Sequence, residues 1–470
     1  MIRAFLREHA PSILVASLSS AFGVAVLQLV GVISQIIEAD GVTGDSGTVT
    51  VLLGLVGLVF IVIAVYVGAV VTANTFATII AGRTRTIALM RLIGSSARSQ
   101  RRAVAREGVL VGLAGAVFGA AAGTLATVAT VATVLIGAGT GTIPDDVAYS
   151  FLSPVLLLPL GAVVLTTWLA SWIGSRRVLD VSPMQATGAA GEQSMEEAAA
   201  SRVRSGTAIV LFVLGGAALG AAVAIGQVSS YGILVGLGGG IVSFTGLVLG
   251  AHLVMPVALR LVGRLLGRGA AARLAAENAV RYPGRSSRTT IGLVIGITLV
   301  TMFAVALQGY TDIITRAQQN DPGYYSGIDT VFVITIVVFS ILMGFSAVIA
   351  AVGMVNNLSL SVLQRRRELG LLRALGFTGR QVRAMITAES AQLTAASVAV
   401  GLLLGILYGW AGVQSMFGSI TGAPGLALPA LPLPFLAGVV VLAALLTLAA
   451  AVGPSRRATR VPPVVALAVD

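Results

Sequence analysis

The sequence predicts an all-α, polytopic membrane protein of about ten transmembrane helices, on three grounds: an apolar composition, a series of long apolar stretches, and the placement of its arginines. Of the 470 residues, 56% are hydrophobic and 10% are charged, with a mean hydropathy of +0.97. An ordinary soluble domain carries about 25% charged residues. The 57 glycines suit membrane helices, where small side chains let backbones approach closely.

A stretch of about 20 apolar residues spans the hydrocarbon core of a bilayer. Such stretches fall at 11–37, 50–73, 108–138, 151–173, 206–226, 232–258, 289–310, 328–355, 388–412 and 433–453. The first follows Arg3 and Arg7 as an export signal would. Its apolar run is about twice the 7 to 15 residues of such a signal and has no clear small-residue cleavage site, so a retained helix is expected.

Basic residues accumulate in short cytoplasmic loops. With the N-terminus inside, 29 of the 30 basic residues, all of them arginine, fall in cytoplasmic segments, and Arg316 alone falls outside. The outer segments carry acids instead: Glu38, Asp40, Asp45, Asp145, Asp146, Asp312, Asp321 and Asp329. The net charge of +12 is then a consequence of topology and does not require a nucleic-acid partner. The expected location is the cytoplasmic (inner) membrane, multi-pass, with both termini cytoplasmic.

The chain also contains an internal repeat, which constrains architecture before any motif does. Residues 74–123 align without gaps on 356–405, pairing Arg91 with Arg373, Gly94 with Gly376, Arg98 with Arg380, Glu107 with Glu389 and Gly119 with Gly401. Matching resumes where Arg176 and Arg177 meet Arg456 and Arg457. The expected organisation is a first permease-like repeat at 1–190 holding spans one to four, a linker with spans five and six at 191–265, and a second repeat at 266–470 holding spans seven to ten. Both four-helix units share one orientation, so their symmetry axis should run along the membrane normal.

The second unit reads Arg365-Arg366-Arg367-Glu368-Leu369-Gly370-Leu371-Leu372-Arg373-Ala374-Leu375-Gly376, then Glu389 opening the next span, and closes on Ser455-Arg456-Arg457. This pattern resembles the FtsX-like permease domain of the MacB-like, lipoprotein-releasing and antimicrobial-peptide-resistance ABC transporters. Ten spans with such a unit near each end most resemble the peptide-resistance permeases. Two departures stand out. Those relatives carry a large extracytoplasmic domain between spans seven and eight, where this chain has only about 311–327, and the first unit has Thr86 and Ala88 where the second has Glu368 and Gly370.

The segments 83–106 and 365–388 show i, i+3 and i+4 apolar spacing amid arginines, the pattern of an interfacial amphipathic helix. The resemblance implies that they are coupling helices seated in an ATPase, with Arg91, Leu92, Gly94, Glu368, Arg373, Leu375 and Gly376 at the contact. Gly94 and Gly376 are expected to end the short helices in the left-handed conformation that glycine tolerates. Glu107 and Glu389 are expected at the start of the following spans, as helix caps or a latch. Gly115, Gly119 and Gly123, and Gly401, Gly405 and Gly409, form a GxxxGxxxG ridge in each copy, expected to seat a neighbouring helix closely.

Several functions are excluded. No cysteine is present, so there is no disulfide or thiolate site. No lysine is present either, and a P-loop needs one to reach the terminal phosphates. No His/Asp/Glu cluster has metal-ligand spacing, and the absence of an acid or arginine mid-span argues against an ion-coupled carrier, leaving an ATP-independent channel or carrier as a third reading. The expected function is that of a non-catalytic permease subunit, coupling hydrolysis of ATP with Mg on a separate ABC ATPase, in two copies, to efflux or membrane extraction of a hydrophobic or amphipathic lipid, peptide antibiotic or drug by mechanotransmission. The alternative is a regulatory signalling subunit controlling an envelope enzyme or sensor kinase. Membrane lipid is an expected partner, and nucleic acid is not.

Overall fold

The computed structural model describes residues 9–39, 54–63, 65–74, 90, 93–138, 153–175, 202–265, 277, 283–323, 371 and 373–460, with scattered positions between 332 and 351. All secondary structure among them is helical. The helices are α1 (Ala10–Ala39), α2 (Gly54–Asn74), α3 (Ala97–Ala138), α4 (Leu157–Gly174), α5 (Arg202–Gly226), α6 (Gly232–Leu249), α7 (Ala251–Leu265), α8 (Pro283–Asn320), α9 (Gly379–Phe417) and α10 (Leu433–Arg460). Eight are long and apolar enough to cross a membrane, and α10 adds the shorter apolar run Leu433–Ala449. The eighth expected span, 328–355, lies largely outside the described residues; its described positions from Phe332 to Ala351 are helical.

The sequence expectation is corrected at the sixth span, which is not one helix. It breaks at Gly250, whose backbone leaves the helical region at φ −87° and ψ 6°, and restarts as α7 with Pro256 inside it. Glycine leaves the helical region at little steric cost, so the break falls at Gly250, while Pro256 lies well inside the helix that follows. Beyond the break, α7 buries Ala251, Met255 and Leu259 against α8 and α9, and exposes Val257, Arg260 and Leu261.

Helix lengths bear on function. At about 1.5 Å per residue, the 42 residues of α3 and the 39 of α9 exceed the roughly 30 Å hydrocarbon thickness. Both helices therefore continue past the membrane at their arginine-rich ends. The expected starts at 108 and 388 were too late, because hydropathy marks where lipid begins and not where the hydrogen-bonded ladder begins.

The repeat is visible in the packing. Within each unit the third helix lies along the first, α3 on α1 and α9 on α8, and carries the fourth on its outer side, α4 on α3 and α10 on α9. The first helices meet at the centre. There Phe22 of α1 and Phe60 of α2 approach Phe303 of α8 at 6.4 and 5.8 Å between centroids, and Phe339 closes the group at 5.3 Å from Phe60. In lipid, burial of such rings gains little from the hydrophobic effect, so close packing holds the two halves together.

Spans five and six are more than a linker. Gly215, Gly239 and Gly246 leave no room for a Cβ between α5 and α6, so this hairpin is tightly paired. Gly226, Gly232 and Gly236 then seat it on Ser415 of α9. Phe244 of α6 stands between Tyr66 of α2 and Tyr408 of α9, edge-on to both at 6.3 and 6.2 Å.

Candidate functional site

The two elbows joining the second and third helix of each unit are built alike. Gly94 has φ +99° and Gly376 has φ +97°, the left-handed conformation that ends a helix at low cost only for glycine. In the first copy the Ser95 N–H donates to Met90 O at 3.0 Å; in the second the Gly376 N–H donates to Arg373 O at 3.1 Å. These are the two hydrogen bonds of a Schellman motif, one visible in each copy.

Two residues after each glycine a hydroxyl caps the long helix. Ser96 Oγ accepts from the Ser99 N–H at 3.1 Å, and Thr378 Oγ1 accepts from the Gln381 N–H at 3.3 Å, with Gln381 Oε1 accepting in return from the Thr378 N–H at 2.9 Å. Ser96 and Thr378 are repeat mates, which the sequence reading missed; a hydroxyl three residues before Ser99 or Gln381 was the available signal. The preceding turn therefore ends at Gly94 and at Gly376, and the long helix begins within three residues of each.

The elbow tips expose aliphatic side chains. Ile93 is 80% exposed and its mate Leu375 is 70% exposed, with Met90 and Leu371 beside them. Of the expected contact residues, Gly94, Arg373, Leu375 and Gly376 lie at these tips, and Arg91, Leu92 and Glu368 fall outside the described residues. Ile93 was not singled out from sequence, although it pairs with Leu375 in the repeat. The copies differ farther along: Arg101 lies 3.8 Å over the Trp172 ring, whereas its mate Arg383 donates to Gly379 O.

Glu107 and Glu389 do not start helices, which corrects the sequence expectation. They lie about three turns inside α3 and α9, beyond reach of the helix N-terminal charge. Glu107 pairs with His9, the residue just before α1, Oε1 to Nδ1 at 3.0 Å. Glu389 is buried, on the face where Gln392 Nε2 donates to Leu259 O of α7 at 2.9 Å. His252, expected inside the sixth span, lies just past its break. Its ring nitrogens meet Ser205 Oγ at 3.1 Å and Leu249 O at 3.0 Å, and burial first, then the Arg204 charge, hold its pKa below the usual imidazole range.

Both glycine ridges face the first helix of their own unit. A Cβ on Gly123 would lie 2.6 Å from Ala21 O, and one on Gly405 would lie 2.5 Å from Thr301 Cβ; Gly115 and Gly119 meet Ala16, Ser17 and Ser20, while Gly401 and Gly409 meet Ile297, Met302 and Val305. At these places the helix backbones run in direct contact.

The fold and its paired elbows define a class: a duplicated, helical, multi-pass membrane protein with a matched elbow in each repeat. The chain matches the FtsX-like permease C-terminal family over residues 58–183 and 340–463, one match per repeat, and belongs to that family. It is 38% identical over 81 residues to an uncharacterized ABC transporter permease of Methanocaldococcus jannaschii, and 34% identical over 101 residues to the uncharacterized ABC transporter permease YknZ of Bacillus subtilis. These matches cover 17% and 22% of this chain, and 19% and 24% of those relatives.

Proposed function

We propose that this chain is the membrane-spanning, non-catalytic subunit of an ABC transporter. In this reading both termini are cytoplasmic and each elbow seats in one copy of a separate ATPase that holds ATP and Mg. Closure of the ATPase pair pushes the elbows, and the unbroken α3 and α9 carry that displacement through the membrane without a deep aqueous channel. The cargo is a hydrophobic or amphipathic compound taken from the membrane. The observation that carries the proposal is the duplicated elbow: an exposed aliphatic tip, a left-handed glycine and a capped long helix, repeated at matched positions. A surface helix serving only to rest on lipid has no need of this rigid connection.

The test is to purify the chain with its ATPase and introduce Ile93→Asp, Leu375→Asp and both together. The expected result is weaker co-purification for each single variant and loss of ATP-dependent lipid or drug release from proteoliposomes for the double. Unchanged association and release in the double variant would overturn the proposal. Intact association and ATP hydrolysis with no release of any cargo would instead favour a regulatory signalling subunit.

A further inference from the structure

Arg316 is the one arginine that topology places outside, and its surroundings give it a task. It lies near the end of α8, lining a cleft closed by Trp410 and Gln414 of α9 and by Leu428 and Ala430 of the segment leading to α10. The enclosed part of this cleft is about 20 Å³, room for one water-sized group. The Trp410 indole N–H donates to Ala427 O at 2.7 Å and Asn320 Nδ2 donates to Gly422 O at 2.7 Å, so the segment is tied over the ends of both helices.

The charges in the cleft are not spent on each other. Asp312 and Arg316 stand one turn apart on α8, yet no ion pair joins them; Arg316 Nε donates to the Asp312 backbone carbonyl at 3.1 Å, and Asp312 Oδ1 accepts from Gln308 Nε2 at 2.9 Å. By contrast, His9 Nδ1 and Glu107 Oε1, at the other end of the molecule, stand 3.0 Å apart as an ion pair. Gln414 is 1% exposed, lines the same cleft, and its buried Oε1 has no hydrogen-bond partner among the described residues. A buried amide oxygen without a donor is costly, and Gln414 is one of the residues that line this small space.

The segment that covers the cleft, and the start of α10 after it, carry exposed leucines, of which Leu428 lines the cleft itself. Leu426, Leu428, Leu431 and Leu433 are all exposed, Leu428 at 90%. The α8 span begins at Thr290, so Asp312 and Arg316 lie beyond the roughly 20 residues that cross the hydrocarbon, at headgroup depth. Trp410 sits at the same level, as interfacial tryptophans do.

We propose that this cleft binds the headgroup of an outer-leaflet phospholipid carrying a primary amine beside its phosphate. The ammonium enters the enclosed space against the Asp312 carboxylate and Gln414 Oε1, the phosphate meets the Arg316 guanidinium, and the acyl chains lie along the leucines. The assignment deepens the transporter reading by naming a lipid class at its outer face, and it rests on that reading for orientation only.

The experiment uses the full chain without any ATPase or nucleotide, so a failure of coupling leaves it untouched. Trp168→Phe with Trp172→Phe makes Trp410 the sole tryptophan. Its fluorescence is measured in vesicles of phosphatidylcholine containing acyl-brominated phosphatidylethanolamine, phosphatidylglycerol or phosphatidylcholine. Quenching by phosphatidylethanolamine should exceed that by phosphatidylglycerol by about threefold in relative binding, the discrimination one partly exposed charge pair supplies. Asp312→Asn, at a half-buried position, should abolish the preference, whereas Arg316→Gln, which removes the partner of the phosphate common to all three lipids, should weaken quenching by all of them, and Arg316→Lys should keep it. Soluble phosphoethanolamine should not compete, since it lacks the chains that the leucines hold. Equal quenching by all three lipids, a preference that survives Asp312→Asn, or quenching by all three that is unchanged in Arg316→Gln overturns the proposal, as does equal competition by soluble phosphoethanolamine.

Discussion

At the scale of the residue, two glycines decide the shape of the elbows. Nothing lies within 4 Å of a Cβ built on Gly94 or Gly376, so any cost of substitution comes from the backbone alone. An L-residue pays about 1–2 kcal/mol in the left-handed conformation. Gly94→Ala and Gly376→Ala should therefore leave the thermal midpoint of the isolated chain nearly unchanged, because the exposed elbow can fray without opening the bundle. They should weaken ATPase binding by about tenfold, the equivalent of 1.4 kcal/mol. Asparagine, which visits this conformation more readily, should restore part of the affinity, and titration of the ATPase onto each variant measures both effects. These glycines were legible in the sequence because the repeat places them at matched positions amid arginines. Glu107 and Glu389 were legible as a pair but misplaced, since an acid at the edge of an apolar run marks the lipid boundary while the helix continues past it.

At the scale of the element, each third helix is held to its first by direct backbone contact. Alanine at Gly405 would set its Cβ 2.5 Å from Thr301 Cβ and 2.8 Å from Thr298 O. A backbone oxygen cannot swing aside as a side-chain tip can, so α8 and α9 must separate. The expected cost is about 1–3 kcal/mol, typical of overpacking. Gly412, on the same helix, has nothing within 4 Å of a built Cβ. Gly412→Ala should therefore be neutral or stabilising by up to about 1 kcal/mol through helix propensity. Thermal unfolding in detergent compares the two, and equal midpoints would mean that the ridge does not set the helix spacing. Sequence spacing announced the ridges; it gave no means of telling which glycines on α9 face α8 and which face away. Nor did it show the break at Gly250, because the hydropathy of 232–258 runs through it uninterrupted.

At the scale of the whole molecule, the duplication is symmetric and its reinforcement is not. The α5–α6 hairpin braces the second repeat at α9 and reaches the first at α2, where Tyr66 OH shares a 2.8 Å hydrogen bond with Thr245 Oγ1; on the other flank Ser243 Oγ shares one of 2.9 Å with Tyr408 OH. No apolar pattern within 206–258 specifies which neighbours these helices choose, so the sequence showed two added spans and not a strut. Phe244 is the part both flanks share, edge-on to Tyr66 and Tyr408, and its loss should act on the two contacts at once. Phe244→Ala should lower stability by about 3–5 kcal/mol, as large core truncations do. Tyr66→Phe and Tyr408→Phe each remove one interhelical hydrogen bond, worth about 0.6 kcal/mol in a membrane. If α6 transmits force between the halves, Tyr66→Phe and Tyr408→Phe should be additive in the Phe244→Ala background and coupled in the native one. A thermal double-mutant cycle reads that difference. Additivity in both backgrounds would leave α6 a passive filler, and any coupling between the repeats would then run through the Phe22, Phe60, Phe303 and Phe339 contact.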